Sequence, residues 1–495
     1  MPARRLAPAL FGTVLLAGAC ASEPSSGPTP EAKPTVTFPK SFLWGSATAG
    51  FQIESGLVHS DWWHWASDPT RIRGAEHPDR GGPNALLHVA DDVAALTNTQ
   101  QNAYRFSIEW ARIYPTRDSF DRDEPDASAV ASYTQLFQAL ANAHVTPIVT
   151  LQHFALPDWL SDVTKPSEPQ GFERPEVPAL FAEWAKRMAI RFGSYVQLWV
   201  TINEPLNMAL GGYVQGSFPP GRLLAMDRAF AMARGAAEAH ARAYDAIHAS
   251  DPDARVSMAF HLRTFHPRDP EFPPDVEAAN RVRYIWNEWL PNIVLYGNVD
   301  TDLDGSLKGA NDVTGSPSLG GRLDYFGVNY YSDTIIAANA GLVVPVINAS
   351  VQQDNLPTGR PRTDFGWDIY PEGFGQVLRS LARYKLPVLV LENGLADATD
   401  QNRTRFLAEH LYELGRAVAD GVPVIGYMHW SLLDNFEWAT GFCPKFGFYS
   451  VDPATGARTA RKSALYYRDV IGRGVMTPAE VDALPPYRAP AARCN

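Results

Sequence analysis

Eight short runs rich in β-branched and aromatic residues alternate along this chain with longer stretches of helical character. The runs are 42–47, 103–109, 147–153, 198–204, 255–261, 325–331, 387–392 and 424–430. Between them, Leu180, Trp184, Met188 and Phe192 recur every fourth residue, which is the spacing of an apolar helical stripe. Segments 236–248 and 404–419 are rich in the helix formers Ala and Leu. Strands separated by helices are joined by crossovers rather than hairpins, so they run parallel. Eight such units predict an α/β fold, a single (β/α)₈ TIM barrel. The span 37–473 exceeds the roughly 250 residues typical of that fold. Pro- and Gly-rich stretches at 115–125, 263–274 and 305–321 place the surplus in long βα loops that form a deep pocket. Residues 474–495, with Pro485, Pro486 and Pro490, are expected to form a tail packed loosely on the outside.

The N-terminus reads as an address rather than as structure. Arg4 and Arg5 precede an apolar run from Leu6 to Leu16, and Ala17-Gly18-Ala19 offers a small-residue cleavage site, so 1–19 fits an export signal. Cys20 follows directly and resembles the lipidated first residue of a mature bacterial lipoprotein, although Ala17 stands where Leu is commoner. Plain secretion is the alternative. The apolar run is shorter than the ~20 residues a membrane-spanning helix needs, so a membrane would be met only through the lipid. Residues 20–36, rich in Pro, Ser, Glu and Thr, read as a flexible tether. The chain has 3 Cys. With Cys20 lipidated, Cys443 and Cys494 form either a disulfide in an oxidising compartment or two free thiols. A formal net charge of -11 argues against a nucleic-acid partner. No H-E-x-x-H, clustered Cys or G-x-S-x-G occurs, so no metal or cofactor is expected and metallohydrolase and serine-hydrolase chemistry find no support.

Polar residues collect at the C-terminal ends of the runs. Gln52 follows the first, Arg105 and Glu109 lie in the second, and His153 ends the third. Asn203 and Glu204 end the fourth, Asn329, Tyr330 and Tyr331 the sixth, and Glu392 the seventh. The eighth leads to Trp430, Glu437 and Trp438. In a barrel these ends converge on one mouth. Glu204 follows Leu198-Trp199-Val200, and Glu392 follows Val388-Leu389-Val390. A carboxylate closing a buried strand is unfavourable unless it has a task or a partner. Two of them over one substrate suit glycosidic bond cleavage, where one protonates the leaving oxygen and the other attacks or activates water.

From Phe38-Pro39-Lys40-Ser41-Phe42-Leu43-Trp44-Gly45 to about Arg473 the chain resembles glycoside hydrolase family 1, the β-glucosidase and β-galactosidase family. Further matches are Tyr104-Arg105-Phe106-Ser107-Ile108-Glu109-Trp110, Phe326-Gly327-Val328-Asn329-Tyr330-Tyr331 and Gly366-Trp367-Asp368-Ile369-Tyr370-Pro371-Glu372-Gly373. The longest is Trp430-Ser431-Leu432-Leu433-Asp434-Asn435-Phe436-Glu437-Trp438. The resemblance implies a retaining mechanism with Glu204 as acid/base and Glu392 as nucleophile, the carboxyl groups about 5–5.5 Å apart. Arg105 and Tyr331 would hold Glu392 ionised, and Glu204 would be raised so as to be protonated at neutral pH. Gln52, His153, Asn203, Asn329 and Glu437 would bind sugar hydroxyls. Trp430 would form the platform under the ring, Trp438 would flank the outer hydroxyls, and Trp367 would meet the aglycone or simply pack its loop. The Trp430–Ser431 peptide is expected to be cis. Leu391 replaces the family's usual Thr and, by strand alternation, is expected to point away from the pocket. Ser55-Gly56 and 84–88 also depart from the family's pattern.

The function implied is β-glucosidase, with β-galactoside or β-fucoside cleavage as side activities, acting on terminal non-reducing β-linked sugars. A phospho-glycosidase is disfavoured, because that branch carries Ser, Lys and Tyr where this chain has Glu437, Pro444 and Phe446. A catalytically inactive sugar-binding protein is disfavoured by the presence of both carboxylates. A transglycosylating β-glycosidase remains an alternative.

Overall fold

The computed structural model describes residues 33–338, 350–352 and 358–494. The signal 1–19, Cys20 and all of the 20–36 tether up to residue 32 lie outside the described residues. Eight strands close into a barrel. They are β1 (Leu43–Ala47), β2 (Ala103–Ser107), β3 (Thr146–Gln152), β4 (Leu198–Asn203), β5 (Arg255–His261), β6 (Phe326–Asn329), β7 (Val388–Asn393) and β8 (Val424–Trp430). Every neighbouring pair is parallel, and β8 closes onto β1 with Trp430 opposite Ala47. The expected (β/α)₈ barrel is therefore observed, with most strand boundaries within one or two residues of the sequence reading.

Two apolar layers follow from alternation along the strands. Side chains from seven of the eight strands meet inside the barrel, among them Ala47, Ala103, Ile148, Val200, Ala259, Leu389 and Met428, with Tyr325 just ahead of β6. The other faces, including Val149, Trp199, Val256, Val328 and Val390, pack outward onto the helices. The helix Val177–Phe192 shows why the stripe was legible. Trp184, Met188 and Phe192 are buried, and the Trp184 indole donates to the Leu151 carbonyl of β3 at 3.1 Å. Its neighbour Met226–Ser250 buries Ala229, Ala233, Ala236 and Ala237, small residues that let the two helices approach. Burial of each large side chain in that stripe contributes on the order of 1.5–3 kcal/mol.

The strands that carry the two glutamates depart from regular register just before them. In β4 the pairing with β5 shifts between Val200 and Asn203. In β7 the pairing with β6 shifts between Val390 and Glu392. Irregularities of this kind re-aim side chains beside active sites. They also alter the expectation for Leu391, which packs in the barrel-interior cluster with Leu389 and Trp430. Leu391 does not line the pocket, but strict alternation is not the reason.

The C-terminal tail is held more firmly than its proline content suggests. Val475–Met476 pairs antiparallel with Val36–Thr37. Tyr487 donates to Glu409 at 2.6 Å, and the amides of Ala491 and Ala492 donate to Asp364 Oδ1 at 3.1 Å. Cys494 is joined to Cys443 in a disulfide, which resolves the two alternatives for these cysteines. Among the described residues, no helix is long and apolar enough to cross a membrane.

Candidate active site

Arg105, in the middle of β2, is fully buried. Its guanidinium donates to Glu392 Oε1 at 2.5 Å, Asn203 Oδ1 at 2.7 Å, Thr150 Oγ1 at 3.1 Å and the Leu391 carbonyl at 3.3 Å. One cation thus ties together β2, β3, β4 and β7. Glu392 Oε2 accepts from the Tyr331 hydroxyl at 2.6 Å. The strand bearing Glu392 needs a glycine directly after Asn393, because a Cβ at Gly394 would lie 1.8 Å from the Trp430 carbonyl oxygen.

Glu204 has a different environment. It caps the segment Pro205–Ala209 in a left-handed conformation, φ 46° and ψ 61°, a backbone region that non-glycine residues seldom adopt and that clusters at functional sites. Asn329 donates to its Oε1 at 2.6 Å and Asn207 to its Oε2 at 2.5 Å. The nearest ring nitrogen, His261 Nδ1, is 3.9 Å away. Burial, reinforced by the Arg263 charge, keeps that imidazole neutral by holding its pKa well below the usual value. Glu204 therefore has two amides and no cation of its own.

These surroundings separate the two carboxyls. Burial, and then the charge of Glu392, push Glu204 up to about 8. Burial also raises Glu392 above the ordinary carboxylate value, but the Arg105 charge and the Tyr331 hydrogen bond oppose it. Both expected contacts are present, yet desolvation outweighs them, so Glu392 is not depressed below an ordinary glutamate. Of the two, Glu392 is the one with a cation at contact distance, and Glu204 keeps the proton.

Both glutamates line one pocket of about 340 Å³, together with His153, Asn203, Tyr331, Trp367, Trp430, Glu437 and Trp438. Trp430 stacks near His153, centroids 5.7 Å apart, and the Trp430–Ser431 peptide is cis as expected. Trp438 is wedged against Trp62 and Phe154 at 4.6 and 4.9 Å. Trp367 stacks on Phe365 at 4.4 Å and faces the pocket, so it both packs its loop and lines the cavity. Gln52 stands behind the wall and donates to Glu437 Oε2 at 3.1 Å. Asn329 likewise acts from behind, through Glu204 and Asn203. Burial, then the Glu392 charge, raise Glu437 to about 8.

The buried atoms near the pocket without a hydrogen-bond partner among the described residues include Gln52 Oε1, His153 Nδ1 and Asn329 Oδ1. Burial and the Arg105 charge keep His153 neutral. Its Nε2 lies 3.2 Å from the Asn203 amide, so a ring accepting there carries its proton on the unpartnered Nδ1.

The structure excludes two residues from the mouth. Glu109 bonds to Ser107 at 2.7 Å in a separate buried cluster with Glu54 and Tyr133, and Tyr330 points outward to the Tyr370 carbonyl. Sequence reasoning missed Asn207, His261, Phe365 and Phe446, all on the pocket wall. Asn207 lies one helical turn after Glu204, and His261 ends β5, so the spacing and strand-end rules used for the other residues could have found both.

The sequence matches the profile of "Glycosyl hydrolase family 1" over residues 34–475. The chain belongs to this family. The β-galactosidase of Pyrococcus woesei is 31% identical, the match covering 89% of this chain and 98% of that protein. Beta-glucosidase A of Thermotoga maritima is 29% identical, covering 88% of this chain and 97% of the relative. Among solved structures, the β-glycosidase of Thermosphaera aggregans superimposes with a TM-score of 0.80 at 28% identity, covering 91% of this chain and 100% of that one. The Thermosphaera aggregans enzyme shares the barrel on which the present site is built.

Removing the central cation should leave Glu392 and Asn203 buried without it. Arg105→Met is expected to lower unfolding stability by about 3–5 kcal/mol in a denaturant titration. The double variant Arg105→Met/Glu392→Gln should recover part of that loss. No recovery would mean that the ion pair is not what the buried arginine serves.

Proposed function

We propose that the protein is a retaining β-glycosidase, in the first instance a β-glucosidase, that hydrolyses terminal β-linked sugars by double displacement. The observation that carries this reading is the asymmetry of the two pocket carboxyls: Glu392 faces Arg105 and Tyr331, whereas Glu204 is held by amides and retains its proton.

In the first step Glu392 attacks the anomeric carbon as the glycosidic bond breaks. The bonding electrons leave with the aglycone oxygen, which takes the Glu204 proton, giving a glycosyl ester and a free alcohol. Formation of the ester removes the Glu392 charge, one of the causes that raise Glu204, so Glu204 becomes a better base. A water then gives its proton to Glu204 and attacks the same carbon, and Glu392 leaves as a carboxylate. Two inversions return the original configuration.

The rest of the pocket suits a sugar. Trp430 offers a ring-sized apolar face. Unpartnered His153 Nδ1, with a Glu437 carboxyl held by Gln52 and able to donate as well as accept, suits neighbouring hydroxyls. Names of both β-galactosidase and β-glucosidase among the relatives support tolerance at one hydroxyl, with β-galactosides and β-fucosides as secondary substrates. Glu437 stands on the wall where the phospho-glycosidase branch carries Ser, which disfavours a phosphorylated sugar.

We also propose export, with Cys20 as a lipid anchor. The 1–20 sequence pattern and the Cys443–Cys494 disulfide support it, since disulfides persist in oxidising compartments. Cys20→Ser should release the protein from the membrane fraction and abolish incorporation of labelled fatty acid. Unchanged fractionation without labelling of the wild type would favour simple secretion or no export.

The roles can be separated chemically. With an activated aryl β-glucoside and azide, Glu392→Ala should yield the α-glycosyl azide and Glu204→Ala the β-azide, with loss of unassisted turnover. For unactivated leaving groups, Glu204→Ala should lose about 10²–10⁴-fold in kcat/KM. Full turnover of Glu392→Ala without azide would contradict the assignment.

The pH profile follows from the same surroundings. Glu204 must be protonated, so kcat/KM should fall as pH rises through about 8. Glu392 must be ionised, so kcat/KM should also fall as pH drops through its own value, which lies above the ordinary 4.5. A bell is expected for the wild type, and Glu204→Gln should lose only its alkaline limb. Retention of that limb would place the acid elsewhere.

A further inference from the structure

A second cavity, about 680 Å³, shares Leu210, Gln215 and Arg263 with the catalytic pocket. Its volume lies within the roughly 300–1,000 Å³ of small-molecule pockets. It opens on the acid/base side, because Leu206, Ala209 and Leu210 on its wall belong to the helical stretch that begins immediately after Glu204. In a double displacement the departing group lies on the side of the acid that protonates it, so it would extend toward this chamber.

The lining has a definite chemistry. Among the described residues, Leu206, Met226, Phe230, Phe265, Val282 and Trp286 make it apolar, and few polar side chains reach it. Leu223 and Leu224, 72% and 48% exposed, stand on its wall. A further sugar unit would need several hydrogen-bond partners there, whereas among the described residues the polar lining side chains are Gln215, Arg263 and Thr334, of which Arg263 already donates to Thr334 at 3.3 Å. One polar atom is notable: the Trp286 indole N–H has no partner among the described residues. Two π-helical turns, Leu210–Val214 and Ile285–Trp289, both contribute to the lining, and such turns occur frequently at functional sites.

We propose that this chamber receives the apolar body of the aglycone, so that the preferred substrates are β-glycosides of large apolar alcohols rather than oligosaccharides. The inference rests on the retaining β-glycosidase reading, and the experiment is arranged to separate the two. Alkyl β-glucosides from methyl to decyl, kept below micelle formation, have leaving groups of similar basicity, so differences among the longer members report binding of the chain. Each fully buried methylene should raise kcat/KM up to about fourfold, so even partial burial of the six added from butyl to decyl should give at least about 100-fold, and decyl β-glucoside should exceed cellobiose.

Val282→Trp, which fills the chamber, and Leu224→Asp, which places a charge on its wall, should each lower the decyl-to-4-nitrophenyl ratio of kcat/KM at least about tenfold. Neither residue lines the catalytic pocket, and the half-exposed Leu224 keeps the test available if Val282→Trp does not fold. A flat alkyl series with 4-nitrophenyl β-glucoside still cleaved would overturn this inference alone. Failure to cleave any β-glucoside, aryl included, would overturn the glycosidase reading and this inference with it.

Discussion

Arg105 carries a positive charge where water cannot reach it, so the groups around it must answer that charge. Glu392, Asn203, the Leu391 carbonyl and Thr150 do so from three other strands. A buried ion pair adds little net stability compared with well-packed apolar residues, but removing one partner is severe. Its consequence here is positional. The guanidinium fixes Glu392 and, through Asn203, the end of β4, from which Glu204 projects. The ionisation pattern follows, since one carboxyl has the cation and the other does not.

The barrel around this pair converts backbone geometry into chemistry. Parallel strands bring their C-terminal ends to one mouth, and two register shifts immediately before the glutamates turn those ends into the pocket. The left-handed backbone at Glu204 then starts a helical segment that supplies Asn207 to the carboxyl and Leu206 to the neighbouring chamber. The catalytic pocket and the chamber thus meet at one residue, polar on one flank and apolar on the other.

Much of this was legible in the chain because the strands read as apolar runs of the right length. The runs 255–261 and 424–430 coincide with β5 and β8. Motif resemblance assigned the glutamates, Arg105 and Tyr331, and their contacts are present. Strand-end position alone could not tell which way a side chain faces, and Glu109 and Tyr330 were grouped with the mouth although they pack elsewhere. Register shifts leave no simple trace in the sequence, so counting back from Glu392 puts Leu391 on the wrong face: alternation in β7 holds from Val388 to Leu391 and breaks at Glu392. The tail was underestimated because proline content says nothing about Asp364 or Cys443, partners distant in sequence.

The central claim is that Glu392, held by Arg105 and Tyr331, is the atom donor of a covalent sugar ester. A 2-deoxy-2-fluoro-β-glucoside with a good leaving group slows the second displacement and allows the ester to be trapped. Peptide mass spectrometry of the inactivated protein should find one fluoroglucosyl group on Glu392. Its appearance on Glu204, or hydrolysis of an ordinary β-glucoside with inverted configuration and no trapped ester, would contradict the account.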